Sequence, residues 1–291
     1  MSISRQRSRL IFQKAERDLL TLSERQQPES VHGFRTTTRR LQTFLEELLP
    51  ERHRNQKKLL KLLDRIRRRA GKVRDLDVQL AALRSLKTPQ EPRRKTQLMN
   101  GLIELREEHE KKLRKQLSKE NIREIQKRLK RGFKEAKLEA SRDPLTVAQE
   151  ILERVERPDG QLTEEVLHQY RIAVKRARYA AEFAPDSAKA RQFIEQLKRL
   201  QDAVGNWHDW LTLTQAASDR LGDVSQSSLV AALHNLTGAK FRQAVAAISA
   251  SPTIATKRRS VPAPVVKAAE SVSDGSSSDG SSSSVRNLKA S

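Results

Sequence analysis

The sequence predicts an all-α fold built as two related helical halves, and three observations carry that reading. Hydrophobic residues fill 36% of the 291 positions but aromatics only 4%, so the core must be Leu, Ile, Val and Ala, which suits packed helices better than a β-sandwich. Gly and Pro number ten each, several of them in the last forty residues, which leaves long uninterrupted stretches for helices. A block of residues around position 32 recurs 136 residues later, the mark of an internal repeat.

Apolar residues fall at helical spacing along the body. A first helix spans Ile3 to Leu22. Pro28 opens a second, from about Glu29 to Leu49, and Pro50 stops it. Glu51 to Ala70 reads as a third, interrupted at Gly71. Val73 to Leu86 reads as a fourth, ended by Pro89 and Pro92. Residues 94–118 and 120–140 read as two long, highly charged helices. The second half opens with a helix near Leu145 to Val155 and a turn at Pro158-Asp159-Gly160. Helices at about 162–184, 187–204, 206–221 and 226–248 follow, with Pro185 and Gly205 setting two of the breaks. From Ser251 the chain carries three prolines and twelve serines in 41 residues, too little apolar content to offset the entropy of ordering. The expected organisation is a first half over 1–142, a second over 143–250 and a disordered Ser-rich tail over 251–291.

Lys and Arg total 58 against 36 Asp and Glu, a net charge of +22. The tail holds six basic and three acidic residues, so most of the excess, +19, belongs to the body. Like charges at that density destabilise a compact chain unless an anion binds. The expected partner is a polyanion. The absence of cysteine excludes disulfides, thiolate metal sites and Cys nucleophiles. No apolar run is long enough for a membrane span. Arg5, Arg7 and Arg9 give a basic start without a secretory h-region; Leu10, Ala15, Leu19 and Leu22 read more simply as the first helix than as part of a transit peptide. Lys257-Arg258-Arg259 in the tail reads as a solvated cluster.

The repeat is gap-free. Placing His32 on His168 puts Arg35 on Arg171, Arg39 on Lys175, Arg40 on Arg176 and Glu46 on Glu182, with Val31 on Leu167 and Phe34 on Tyr170. A second block, Gly71-Lys72-Val73-Arg74-Asp75, resembles Gly205-Asn206-Trp207-His208-Asp209. At 100° per residue, His32, Arg35 and Arg39 share a face, as do His168, Arg171, Lys175 and Arg178. An ordinary solvated face alternates charges at i,i+4; here the cations come first. Lys58, Lys61, Arg65, Arg68 and Lys72 form a further strip, and Lys189, Arg191, Lys198 and Arg199 a thinner one. Facing inward, such strips would line one groove or channel.

With those residues in view, the sequence resembles the CHAD domain family. The resemblance rests on Val31-His32-Gly33-Phe34-Arg35 with Arg39-Arg40, on Gly71 to Val78, on Leu167 to Arg176 with Arg178-Tyr179 and Glu182, and on Leu197 to Asp202 leading to Gly205 and Asp209. It covers roughly residues 5 to 250. It implies two related antiparallel helical bundles with pseudo-two-fold symmetry around a basic groove or pore, and binding of inorganic polyphosphate, in the cytoplasm at polyphosphate granules. Such domains often accompany a triphosphatase-type tunnel domain, and no β-rich segment here would build one. Gln42-Thr43 stands where the second copy has Arg178-Tyr179, so the halves are expected to contribute unequally.

The expected polyphosphate-binding residues are therefore His32, Arg35, Arg39, Arg40, Lys58, Lys61, Arg65, Arg68, Arg74, His168, Arg171, Lys175, Arg176, Arg178, Lys198 and Arg199. Arg offers a planar bidentate fork to phosphate oxygens and Lys a mobile point charge. His32 and His168 either meet phosphate as imidazolium, which predicts tighter binding near pH 6 than pH 8, or serve as structural hydrogen-bonding residues. Asp75 and Asp209 cap helices or orient Arg. No catalytic residue, metal or cofactor is expected. Three rival readings stand beside this one. Glu29-x-x-His32 and Glu165-x-x-His168 fit the spacing of helical di-iron sites, but Arg35 and Arg39 on the same face disfavour a cation. The charge alone suits non-specific nucleic-acid binding equally, though few aromatics are present for base stacking. A granule-coat scaffold is compatible with polyphosphate binding.

Overall fold

A computed structural model describes residues 3–87, 91–155 and 162–251, which fall within one compact unit, Met1–Lys257. The expected turn at Pro158-Asp159-Gly160 and the tail from Pro252 onward lie outside the described residues. Among the described residues all regular structure is helical: α1 (Arg5–Glu24), α2 (Pro28–Thr43), a π-helical turn (Phe44–Leu48), α3 (Arg54–Ser85), α4 (Pro92–Arg114), α5 (Lys119–Lys134), α6 (Pro144–Glu153), α7 (Glu164–Ala181), α8 (Ala188–Leu221) and α9 (Ser228–Ser249).

Local sequence explains where most helices begin. Pro28, Pro92 and Pro144 sit in the first helical positions, where no backbone N–H is needed. Ser118, Asp143, Thr163, Ser187 and Ser227 each accept a hydrogen bond from a first-turn N–H. His53 and Gln56 form a reciprocal capping box at the start of α3.

Two expected breaks do not occur. Gly71 and Gly205 lie inside single helices of 32 and 34 residues. A mid-helix glycine costs about 1 kcal/mol relative to alanine, which tertiary packing of α3 and α8 overrides. The expected helix ending at Leu49 instead leaves α-geometry at Thr43 and passes through the π turn, burying Phe44, Leu45, Glu47 and Leu48.

The repeat maps α2 onto α7 and α3 onto α8, and chain order pairs α1 with α6 and α4 with α9. Neighbour relations follow the same mapping: α1 packs on α2 as α6 packs on α7, and α3 on α4 as α8 on α9. Across the two halves α2 meets α7 and α3 meets α8. The hydrophobic cores cross the halves too. The larger one joins α1, α2, the start of α3, α5, α6 and α7 to the start of α8, around Phe34, Phe44, Tyr170 and Trp207. The smaller joins the ends of α3 and α8 to α4 and the start of α9, through Leu83, Leu98, Leu102, Leu213 and Leu233. Helices α2, α3 and α7 thus carry cations of both repeats, Arg35, Arg39, Arg67, Arg171 and Lys175, to one place.

Candidate anion-binding site

Val31, Phe34, Leu41, Phe44 and Leu45 of α2 and its π turn are fully buried, and Arg35 and Arg39, on the flank of that apolar face, are held at the α2–α7 seam. Leu167, Tyr170, Val174 and Ala177 do the same for Arg171 and Lys175 on α7. The four cations fall within electrostatic reach of one another. Burial, then Arg67 and Arg35, disfavour the charge of Arg39. Burial chiefly disfavours that of Arg171; Asp209 and Asp75 partly offset this, and Arg35 adds to it. Burial, then Arg171 and Arg39, pull the Lys175 ammonium down to about 7. Among the described residues Arg39, Arg171 and Lys175 make no ion pair with a carboxylate, and Arg171 Nε is buried without a hydrogen-bond partner.

Arg35 is anchored more firmly. Its Nη1 donates to Gly71 O and to Asp75 Oδ1, both at 3.2 Å. Gly71 faces the guanidinium directly; a Cβ there would lie 3.8 Å from it. Asp75 therefore orients Arg, one of the two roles the sequence allows, and is no cap, since it sits in mid-helix. At Gly205, the repeat mate, a Cβ would meet nothing within 4 Å.

The histidines flank this cluster. Burial, then Arg74, Arg35, Lys175 and Arg40, lower the pKa of His32. Burial, then His208 and Arg171, lower that of His168. The His168 and His208 rings lie 5.7 Å apart, centroid to centroid. The free protein thus disfavours both imidazolium forms. Among the described residues no three His, Asp or Glu side chains gather to hold a metal, so neither Glu-x-x-His pattern acquires its further ligands there.

Other expected site residues sit elsewhere. Arg40 is paired with Glu182, Nε to Oε2 2.7 Å and Nη2 to Oε1 3.1 Å. Arg178 joins the same carboxylate at 3.5 Å, and both guanidiniums lie over the Tyr179 ring. Arg176 pairs with Glu46 at 3.5 Å and with Glu47. These three arginines are neutralised by protein carboxylates, which distinguishes them from Arg39, Arg171 and Lys175. Lys58, Lys61, Arg65 and Arg68 form an exposed outward strip, with Arg68 paired to Asp64 at 2.6 Å. That strip lies roughly 130° around α3 from the Arg67–Gly71–Arg74 face. Lys198 and Arg199 are exposed on α8, and Arg199 pairs with Glu195 at 3.6 Å.

Two site residues escape the sequence reading: Arg67, beside Arg39, and His208, beside His168. A signal was present. The matched glycine blocks give Arg67, Gly71 and Arg74 against Gln201, Gly205 and His208 when extended one turn back. Helical spacing alone favoured the longer lysine-rich strip.

Comparison with known proteins fits this geometry. A family model described as the CHAD domain matches residues 10–218. The crystal structure of the CHAD domain from the plant Ricinus communis superposes with a TM-score of 0.57 at 18% identity, over 87% of this chain and 89% of that one. PptA from Streptomyces chartreusis superposes with a TM-score of 0.57 at 17% identity, over 82% of this chain and 93% of that one. At such identities the likeness concerns the fold. No curated protein matches the chain. Because the matched span takes in well over half of the residues, including both copies of the repeat, the chain belongs to the CHAD domain family.

Proposed function

We propose that the protein binds inorganic polyphosphate, without catalysis, at the place where α2 and α7 meet between α3 and α8. The single observation that supports this is the meeting of Arg39, Arg171 and Lys175. They are part-buried cations from both repeats, mutually destabilising, with no carboxylate pair among the described residues. Three such groups, offset only in part by the more distant Asp75 and Asp209, favour an anion with several closely spaced charges. Arg35, held by Gly71 and Asp75, is pre-aimed and presents the rest of its fork. His32, Arg74, His168 and His208 extend the site along the two flanks. The exposed strip Lys58, Lys61, Arg65, Arg68 and the pair Lys198, Arg199 supply long-range attraction, which salt screens. Association with polyphosphate granules follows as the cellular consequence. No helix among the described residues is long and apolar enough to cross a membrane.

The test is a titration with polyphosphates of several lengths and salt concentrations. Arg39→Ala, Arg171→Ala and Lys175→Ala are each expected to weaken binding about tenfold or more, the loss of one charge-assisted contact. Arg40→Ala should weaken it much less. Equal loss from all four, or none from the first three, would sink the assignment. Incubation with polyphosphate should leave chain length unchanged; released orthophosphate in proportion to protein would contradict the non-catalytic reading.

A further inference from the structure

Helix α5 has no counterpart among the described helices of the second half, so the repeat does not explain it. Its inner face is fixed. Ile125, Leu129 and Gly132 are buried. Gln56 donates to Gly132 O at 3.0 Å, and Asn55 and Arg128 exchange two hydrogen bonds at 3.1 Å.

The outer face is different in kind. Lys127, Lys130, Arg131 and Lys134 are all exposed, and they fall at i, i+3, i+4 and i+7, one side of the cylinder. Arg123, also exposed, continues the row by one turn. Of the acids nearest in sequence, Glu124 pairs with Arg128, Glu135 Oε2 is buried, and Glu120 acts on Arg123 at the end of the row. Among the described residues Lys127, Lys130, Arg131 and Lys134 make no side-chain hydrogen bond or ion pair. On neighbouring α4, by contrast, Lys112 pairs with Glu108 and Arg114 with Glu110.

We infer that this face of α5 is a second polyanion site, separate from the central one, that docks against the phosphate backbone of double-stranded nucleic acid without reading its sequence. The row from Arg123 to Lys134 is about 17 Å long, the axial span of about five phosphates along one duplex strand. It is a straight, rigid, convex surface, which suits the outside of a stiff duplex and offers nothing to enclose a thin flexible chain. No aromatic side chain interrupts it, so single strands gain no stacking. Its apolar side is already spent on the protein core, so it cannot also enter a bilayer. Gln56, where α5 docks, lies fifteen residues along α3 from Gly71, about 22 Å, so one ligand at the centre does not occupy both places. The inference stands whether or not the central site takes polyphosphate.

The experiment uses the full chain and a 30-base-pair duplex of arbitrary sequence, followed by fluorescence anisotropy across a salt series. The test protein carries Lys127→Gln, Lys130→Gln, Arg131→Gln and Lys134→Gln. A charge-matched control carries Arg84→Gln, Lys87→Gln, Arg93→Gln and Lys115→Gln, scattered exposed positions. The α5 variant should lose at least tenfold in duplex affinity at 0.1 M salt, and the slope of log affinity against log salt should fall by about 3 to 4, one counterion step per lost contact. The control should lose less than threefold. A third protein with Arg39→Gln and Arg171→Gln should bind duplex like the wild type. Equal losses in the α5 variant and the control overturn the inference, as does loss in the central variant alone. Binding to vesicles containing 30% phosphatidylserine that depends on the α5 quartet, with duplex binding unaffected, would assign the face to membranes and likewise overturn it.

Discussion

Arg40 on α2 and Glu182 at the C-terminal end of α7 form an ion pair, Nε to Oε2 2.7 Å, and their repeat mates Arg176 and Glu46 form the reverse pair at 3.5 Å. Each arginine reaches into the other half of the molecule. Exchanging the halves converts one pair into the other, so a pseudo-two-fold relation is written into two side-chain contacts. The pairs also divide the cations of the repeat into two classes. Arg40 and Arg176 hold the halves together, with Arg178 joining Glu182 from its own helix; Arg39, Arg171 and Lys175 have no carboxylate pair among the described residues.

Loss of the Glu182 carboxylate should therefore cost stability more than binding. Glu182→Gln leaves Arg40 and Arg178 facing each other over Tyr179 with no counter-charge. A loss of about 1.5 to 3 kcal/mol is expected, typical for a charge-assisted hydrogen bond with a part-buried partner left behind, read by urea denaturation. Polyphosphate affinity under native conditions should change less than threefold. A variant as stable as the wild type but deficient in binding would place Arg40 and Arg178 in the ligand site instead.

Lys175 should show the opposite signs. Lys175→Met removes a part-buried ammonium repelled by Arg171 and Arg39 and keeps much of its volume. The free protein should gain about 1 kcal/mol, as when a poorly compensated buried charge is replaced by an apolar side chain, while polyphosphate binding weakens. Thermal melts with and without polyphosphate check both at once. A simultaneous fall in stability and binding would make Lys175 a structural residue.

The same lysine gives a pH dependence with a defined direction. Its pKa is about 7 in the folded protein, against 10.5 in an unfolded chain. Between those values the unfolded chain binds a proton that the folded protein lacks, so the free protein gains stability as pH rises from about 7 toward 10.5. A bound polyanion restores the charge on Lys175, and on His32 and His168, whose pKa values burial also lowers. Binding must then take up protons and weaken as pH rises from 6 to 8. Calorimetric titrations in two buffers of different ionisation enthalpy should show that uptake at pH 7.5, and Lys175→Arg should remove most of it. Identical heats in both buffers would refute the coupling.

Gly205 offers a simpler test of the helix that runs through it. A Cβ there meets nothing within 4 Å, and the residue is in the interior of α8. Gly205→Ala should stabilise the free protein by about 0.5 to 1 kcal/mol through helix propensity alone, measured by chemical denaturation. Destabilisation would mean that α8 is not continuous at that point in solution.

The sequence by itself determined the helical class, the duplication and the identity of the central cations. His32, Arg35 and Arg39 against His168, Arg171 and Lys175 were legible because a repeat with no gap preserves helical phase, and phase fixes which side chains share a face. It could not say that α3 and α8 pass unbroken through Gly71 and Gly205, because a propensity cost of about 1 kcal/mol is decided by packing against partners distant in sequence. It could not separate Arg39 from Arg40, adjacent residues of one type. Tertiary structure did that by bringing Glu182, 142 residues away, to one and, among the described residues, no carboxylate partner to the other. Nor could it choose between two cationic faces of α3. Local patterning favoured the lysine-rich strip, but the side that meets α2 carries Arg67, Gly71 and Arg74. Charge counts are a property of the chain; which charges go uncompensated depends on neighbours that only folding supplies.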